Sequence, residues 1–267
     1  MKDNHAAFVG SIPEYYDRVL VPLIFEEYAK EMARRLQQPA HRVLELACGT
    51  GAVTKHLIGR LAADGRITAT DLNQAMLDVA RANVVDGRID WKPADATKLQ
   101  FENGTFEAVV CQFGWMFFPD KIAAMREARR VLRSGGQLLY DAWDGIARCP
   151  VYFEVNAAVH ECFPKDAPTF YDVPFSMPDR GEHVQLMHEG GFMNASVEIV
   201  AHEGARMSAS EMASGIVRGS PAVAEIAERG GDVSDVVEFV ARRLEQRFGS
   251  GPFASPMSAL ICTANAP

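Results

Sequence analysis

The sequence predicts an α/β fold: a mostly parallel sheet of seven strands with helices on both faces and a helical cap. Three observations carry that prediction. Short apolar runs alternate with stretches of helical spacing through residues 41–143, the pattern of strands covered on both faces. The first run, Val43-Leu44-Glu45-Leu46, opens into Ala47-Cys48-Gly49-Thr50-Gly51, where two glycines let the backbone bend sharply and lie against a ligand. Acids stand in register at three of the runs: Glu45 inside the first, Asp71 after Arg66–Thr70, and Asp95 after Arg88–Ala94.

Residues 1–40 read as a helical lead-in, with Leu20, Leu23, Ile24, Tyr28, Met32 and Leu36 in one stripe and Pro22 as a break or a helix start. After the glycines, Val53, Leu57, Ile58 and Leu61 share a helical face. Asp71 lies about 20 residues further on, where an acid is placed to bond ribose hydroxyls. Asn73 is the expected N-cap of a helix that turns Met76, Leu77 and Ala80 inward. Phe106–Cys111 is the fourth strand, followed by Gln112-Phe113-Gly114-Trp115-Met116-Phe117-Phe118. The next helix carries Ile122, Met125, Ala128 and Leu132 and is expected to stop at Ser134-Gly135-Gly136. Gln137–Trp143 is the fifth strand.

The rest departs from this alternation. Segment 144–178 is rich in proline and aromatic residues, with a helix expected around Tyr152–Cys162. A helix near 179–189 leads into a strand at 195–200, and the last strand is expected at 257–262. Between them, Ser208 with Glu211 forms a capping box, Ser220-Pro221 starts a helix, and Asp232–Phe248 is amphipathic along Val233, Val236, Val237, Val240, Leu244 and Phe248. An insertion of that length reads as a cap rather than a structureless loop. The expected organisation is therefore a lead-in (1–40), a core (41–207 and 251–267) and helical cap insertions at 144–178 and 208–250.

At 267 residues the chain can bury one good-sized core with a small accessory layer. The net charge of −8 argues against a nucleic-acid partner, and Arg126, Arg129, Arg130 and Arg133 read as a solvated helix face. No apolar stretch approaches the roughly 20 residues of a membrane span, and no signal-peptide pattern opens the chain. Five cysteines without metal-ligand spacing point to a reduced, cytoplasmic protein. A small-molecule partner is favoured, no metal site is expected, and a homodimer is compatible with the sequence.

Glu45-Leu46-Ala47-Cys48-Gly49-Thr50-Gly51 resembles motif I of the class I S-adenosylmethionine-dependent methyltransferases, with Ala47 in place of the family's usual first glycine. A carboxylate so near the turn would repel a pyrophosphate and attract a cofactor bearing an ammonium and a sulfonium. The resemblance implies a Rossmann-like fold and S-adenosyl-L-methionine as cofactor. The implied cofactor residues are Glu45, Ala47, Cys48, Gly49 and Gly51 of the turn and Asp71 at the ribose. Leu72 and Met76 would lie beside the adenine, with Asp95 and Ala96 at its amino group. Gln112 and Phe113 would line the methionine arm, and Tyr16 of the lead-in would fold over it. Met76 reads more readily as a core residue than as a ligand contact, leaving Leu72 the better candidate beside the adenine, and Phe117 and Phe118 read as core or helix-docking residues.

The implied reaction is in-line methyl transfer to a small acceptor, aromatic or polyketide- or quinone-like, with no catalytic residue assigned. His160, His183, His188 and His202 fall in the acceptor-side half, and each reads as a surface or helix residue rather than a base. Two alternatives stay open. A nicotinamide-dependent oxidoreductase would want a glycine where Thr54 stands and no acid at Glu45. A non-catalytic S-adenosylmethionine-binding sensor or partner subunit would bind cofactor without turnover.

Overall fold

The computed structural model describes residues 5–267. Its strands are β1 (Ala40–Glu45), β2 (Leu61–Asp71), β3 (Ile89–Pro93), β4 (Phe106–Cys111), β5 (Leu132–Trp143), β6 (Met193–Glu203) and β7 (Pro256–Asn265). They form one sheet in the order β3-β2-β1-β4-β5-β7-β6. The first five are mutually parallel, and β7 runs antiparallel to both β5 and β6. Consecutive residues Val43 and Leu44 of β1, Val109 and Val110 of β4, and Leu138 and Leu139 of β5 are all fully buried. Neighbours on a strand point to opposite faces, so both faces of the sheet are covered.

The helices are α1 (Ile12–Tyr15), α2 (Glu26–Arg35), α3 (Thr54–Leu57), α4 (Gln74–Asn83), α5 (Lys121–Val131), α6 (Pro150–Cys162), α7 (Arg180–Glu189), α8 (Ala209–Arg218), α9 (Ala222–Glu228) and α10 (Val233–Phe248). β6 and β7 pair as an antiparallel ladder although α8, α9 and α10 lie between them in sequence. The Ser208–Glu211 capping box is present, and Asp232 caps α10 by accepting from the backbone N–H groups of Ser234 and Asp235. α10 packs on α6 and α8, and α8 packs on the lead-in.

Several expected boundaries move. Leu61 and Leu132 leave their helices and open strands, paired with Ala40 and Phe106. The helix after the glycine turn is accordingly only α3 and one tight turn (Ile58–Arg60). The Ser134–Gly136 stop becomes the irregular start of β5: Gly135, at φ +73, donates its N–H to the Ala266 carbonyl, and Gly136 accepts from Ala266. Asn73 stands at the N-cap of α4, but its side-chain amide donates to the Ala6 carbonyl instead of capping. Arg133 falls in β5, paired with Glu107, while Arg130 of α5 ties down the Leu99 and Phe101 carbonyls.

Pro22 does not break the lead-in. Tyr16–Phe25 is a π-helical segment joining α1 to α2, and Pro22 lies inside it. Wider π turns leave some backbone groups without the usual partner, and here the Pro22 carbonyl accepts from Ala205. Three glycines make room for the segment. A Cβ at Gly204 would overlap the Leu23 carbonyl, one at Gly215 would overlap the Val19 side chain, and one at Gly219 would lie 3.2 Å from the Tyr16 nitrogen. The lead-in is thereby clamped between the sheet and α8, which sets Tyr16 over the glycine turn.

Candidate active site

The site begins where β1 ends. Ala47 adopts φ +49, Gly49 φ +56 and Gly51 φ +87, so the chain turns back on itself within five residues. Gly51 is needed for packing, since a Cβ there would press on Val84 at 3.1 Å. Gly49 lines the cavity, and a Cβ there would be in ordinary contact with the Tyr16 hydroxyl at 3.7 Å and the Met76 methyl at 3.9 Å. Three of the turn's amides are engaged internally. Cys48 donates to the Thr70 carbonyl at 2.9 Å, Gly51 to the Cys48 carbonyl at 3.0 Å, and Gly49 to Asp71 Oδ2 at 3.0 Å. Asp71 Oδ1 accepts from the Asn73 backbone N–H at 2.8 Å. Asp71 therefore ties the end of β2 to the turn of β1, and its burial raises its pKa. A phosphate would find these N–H groups taken and a carboxylate beside them.

In front of the turn lies a cavity of about 540 Å³. Tyr16, Ala47, Gly49 and Asp71 form its floor, and Leu72, Met76, Asp95 and Ala96 form one end. Leu72 stays 62% exposed, an apolar side chain held out beside Asp71. Asp95 holds its own loop through Oδ1, which accepts from the Thr97 N–H at 2.8 Å and the Thr97 hydroxyl at 2.7 Å. Gln112 and Phe113 also line the cavity; the Gln112 amide donates to the Phe25 carbonyl at 3.2 Å.

Glu45, Cys48 and Gly51 do not line it. Glu45 is buried beneath the turn, where Oε2 accepts from the Thr54 hydroxyl at 2.7 Å and so pins α3 to β1. Burial pushes its pKa up to about 8, so the charge expected of Glu45 is largely absent at neutral pH and Asp71 is the turn's acid at the cavity. Burial likewise pushes the Cys48 thiol up. Met116, Phe117 and Phe118 line the cavity instead of serving only as core, whereas Trp115 is core, 4.7 Å from the Tyr140 ring.

Some site residues carried no sequence signal strong enough to be singled out. Asp141 of β5 is fully buried; Oδ1 accepts from the Phe113 N–H at 2.6 Å while Oδ2 has no partner among the described residues. That bond holds Phe113 at φ +48 and sets its ring flat on Trp143, 3.7 Å apart and 9° from parallel. An acid inside the apolar run Leu138–Trp143 was the available clue. His5, Lys121, Tyr152 and Phe170 reach the cavity from four separate segments. Of the histidines expected on the acceptor side, none lines it; His183 is buried between the Tyr140 hydroxyl and the Met177 carbonyl, both at 2.9 Å. Among the described residues no His, Cys, Asp and Glu cluster could hold a metal ion.

Residues 43–136 match the family described as Methyltransferase domain. The ubiquinone/menaquinone biosynthesis C-methyltransferase UbiE of Xylella fastidiosa is 34% identical over 165 residues, covering 57% of this chain; the match spans 65% of that relative's length. UbiE of Paraburkholderia phymatum is 31% identical over 180 residues, 61% of this chain and 74% of that protein. The chain belongs to the class I S-adenosylmethionine-dependent methyltransferases. Solved structures agree on the methyltransferase fold. The YcgJ protein of Bacillus subtilis superposes with a TM-score of 0.59 at 16% identity, covering 90% of this chain and 98% of that one. Haemonchus contortus phosphoethanolamine N-methyltransferase 2, in complex with S-adenosyl-L-methionine, gives 0.57 at 15% identity over 97% and 60%.

The methyltransferase's cavity residues fit that family's cofactor by their donor set. Asp71 and Asp95 offer carboxylate oxygens for ribose and amino hydrogens, Leu72 and Met76 offer apolar surface to a base, and the N–H groups of Cys48, Gly49 and Gly51 are already taken by Thr70, Asp71 and Cys48.

Proposed function

We propose that this protein transfers a methyl group from S-adenosylmethionine to a small-molecule acceptor, with segments 144–178 and 208–250 as the acceptor-side cap. The observation that carries the reading is the glycine turn whose amides are engaged by Asp71, Thr70 and Cys48 while the Asp71 carboxyl faces the cavity. When bound, S-adenosylmethionine supplies an electrophilic methyl group on a sulfonium. The chain's part is to bind, orient and exclude water. Asp71 would accept from the ribose hydroxyls, Asp95 from the adenine amino group, and Ala96 would leave room for the ring. Gln112 and Phe113 would flank the methionine arm, and Tyr16 would cover it from the lead-in.

Charge passes from the sulfonium to a neutral nucleophile without net creation, so holding the partners in line at about 3 Å in a dry pocket supplies much of the acceleration. No side chain is assigned as a base: the cavity's acids sit at the cofactor end, and His5 lies 3.1 Å from the Glu225 carboxylate. The relatives named as C-methyltransferases of ubiquinone/menaquinone biosynthesis make an unsaturated ring a reasonable acceptor, and the aromatic walls support it. Formation of S-adenosylhomocysteine across a panel of phenols, amines and quinones tests the proposal. Turnover with at least one class is expected, and cofactor binding with no turnover on any would favour a non-catalytic binding subunit.

A further inference from the structure

Beyond the cofactor end, the cavity wall is apolar, built from Phe8, Ile24, Met116, Phe117, Trp143 and Phe170. Six polar side chains interrupt it, and four of these are already engaged. The Gln112 amide donates to the Phe25 carbonyl, Ser220 Oγ to the Val217 carbonyl, and Lys121 Nζ to the Phe118 carbonyl. His5 bridges the Thr169 hydroxyl and Glu225. The other two, the hydroxyls of Tyr16 and Tyr152, make no hydrogen bond among the described residues, and neither does the Trp143 indole N–H in the wall. Tyr152, on α6, is only 7% exposed. Its ring is fixed against Phe175 at 5.4 Å and Tyr171 at 6.3 Å. Tyr16 stacks on Phe25 at 4.9 Å and reaches toward Gly49. Both phenols line the same cavity, and burial raises both pKa values. Both therefore stay neutral donors.

A hydroxyl on an apolar cavity wall with no protein partner is free to donate to a ligand that brings an acceptor oxygen. We propose that Tyr152, with Tyr16 on the wall of the same cavity, hydrogen-bonds a neutral oxygen on a flat aromatic acceptor, so that the pocket selects phenol- or quinone-type rings over the bare hydrocarbon. The inference rests on the methyltransferase reading above. Because Tyr16 also lies over the glycine turn, the held oxygen sits at the junction between cofactor and acceptor. Tyr152 is a specificity residue here, and the stacked Phe113 and Trp143 would provide the flat surface.

The test titrates the wild-type complex with S-adenosylhomocysteine against p-cresol, toluene and p-toluate, with affinities read by ligand-detected NMR. The expected result is p-cresol binding about tenfold tighter than toluene, from one neutral hydrogen bond in a dry pocket. Tyr152→Phe should shrink that ratio to about threefold or less while leaving the calorimetric Kd for S-adenosylhomocysteine unchanged. Equal binding of p-cresol and toluene to the wild type, no binding of p-cresol, or an undiminished ratio in Tyr152→Phe would overturn the inference. So would tighter binding of p-toluate, which would point to Lys121 receiving an anion. If the wild type takes up no S-adenosylhomocysteine, the methyltransferase reading fails first and this inference with it; loss of oxygen selectivity alone leaves that reading standing.

Discussion

Replacing Asp71 examines the join between the two strand ends on which the cofactor seat is built. In the structure its carboxylate accepts from Gly49 at 3.0 Å and from Asn73 at 2.8 Å, and it lines the cavity. In Asp71→Asn the remaining carbonyl oxygen can serve Asn73, but the new NH₂ meets the Gly49 N–H donor to donor. A buried N–H left without an acceptor costs about 1–3 kcal/mol, a loss readable as a lower Tm. A ribose hydroxyl bonded to a charged acceptor contributes about 1.5–3 kcal/mol, so the Kd for S-adenosylhomocysteine should rise about ten- to a hundredfold. Asp71→Ala should show the same loss of affinity. Calorimetric titration of variants shown by circular dichroism to be folded is the assay. An unchanged Kd in a folded Asp71→Ala would refute both the ribose assignment and the role given to the turn.

Glu45 has a pKa near 8 in the fold against an ordinary 4.5, so the folded state holds a proton that the unfolded chain releases in between. The contribution of Glu45 to stability is thus fully present below about pH 4.5 and falls by up to about 1.4 kcal/mol per pH unit across that window. Glu45→Gln should flatten the fall, and parallel Tm-against-pH curves for the two proteins would contradict it. Gly215→Ala places a methyl group into Val19 and should destabilise by about 1–3 kcal/mol; adding Val19→Ala should recover much of that, as denaturant melts would show. Ala47→Gly relieves a left-handed backbone at φ +49 and should stabilise by about 0.5–1 kcal/mol. A lower Tm for it would mean that the Ala47 methyl, which packs closely against Gly114, matters more than the strain.

The strand–turn–helix around Gly49 and the acids at Asp71 and Asp95 were legible because they are local. A short apolar run, two glycines and a spaced carboxylate state their geometry within one stretch of chain. Leu61 and Leu132 were misplaced for the same local reason: each continues a helical stripe yet is the first residue of a strand, and periodicity cannot tell one from the other at a junction. Glu45 was found but misjudged. Sequence gives the carboxylate, whereas the burial that raises its pKa arises only on folding and outweighs the hydrogen bond from the Thr54 hydroxyl. His5, Lys121, Tyr152 and Phe170 come to one cavity from the start of the chain, α5, α6 and the turn at Phe170–Asp172, and nothing in their own neighbourhoods marks them. Pro22 shows the limit in reverse, since a residue that normally ends a helix is accommodated by a π-helical segment and three glycines on its neighbours.

The central claim is that strand-end carboxylates and an internally bonded glycine turn make a seat for a cationic nucleoside and none for a pyrophosphate. Parallel calorimetric titrations of the wild-type protein with S-adenosylhomocysteine and with NADH test it most directly. The account predicts saturable binding of S-adenosylhomocysteine and no heat of binding from NADH; tight uptake of NADH with S-adenosylhomocysteine ignored would contradict it.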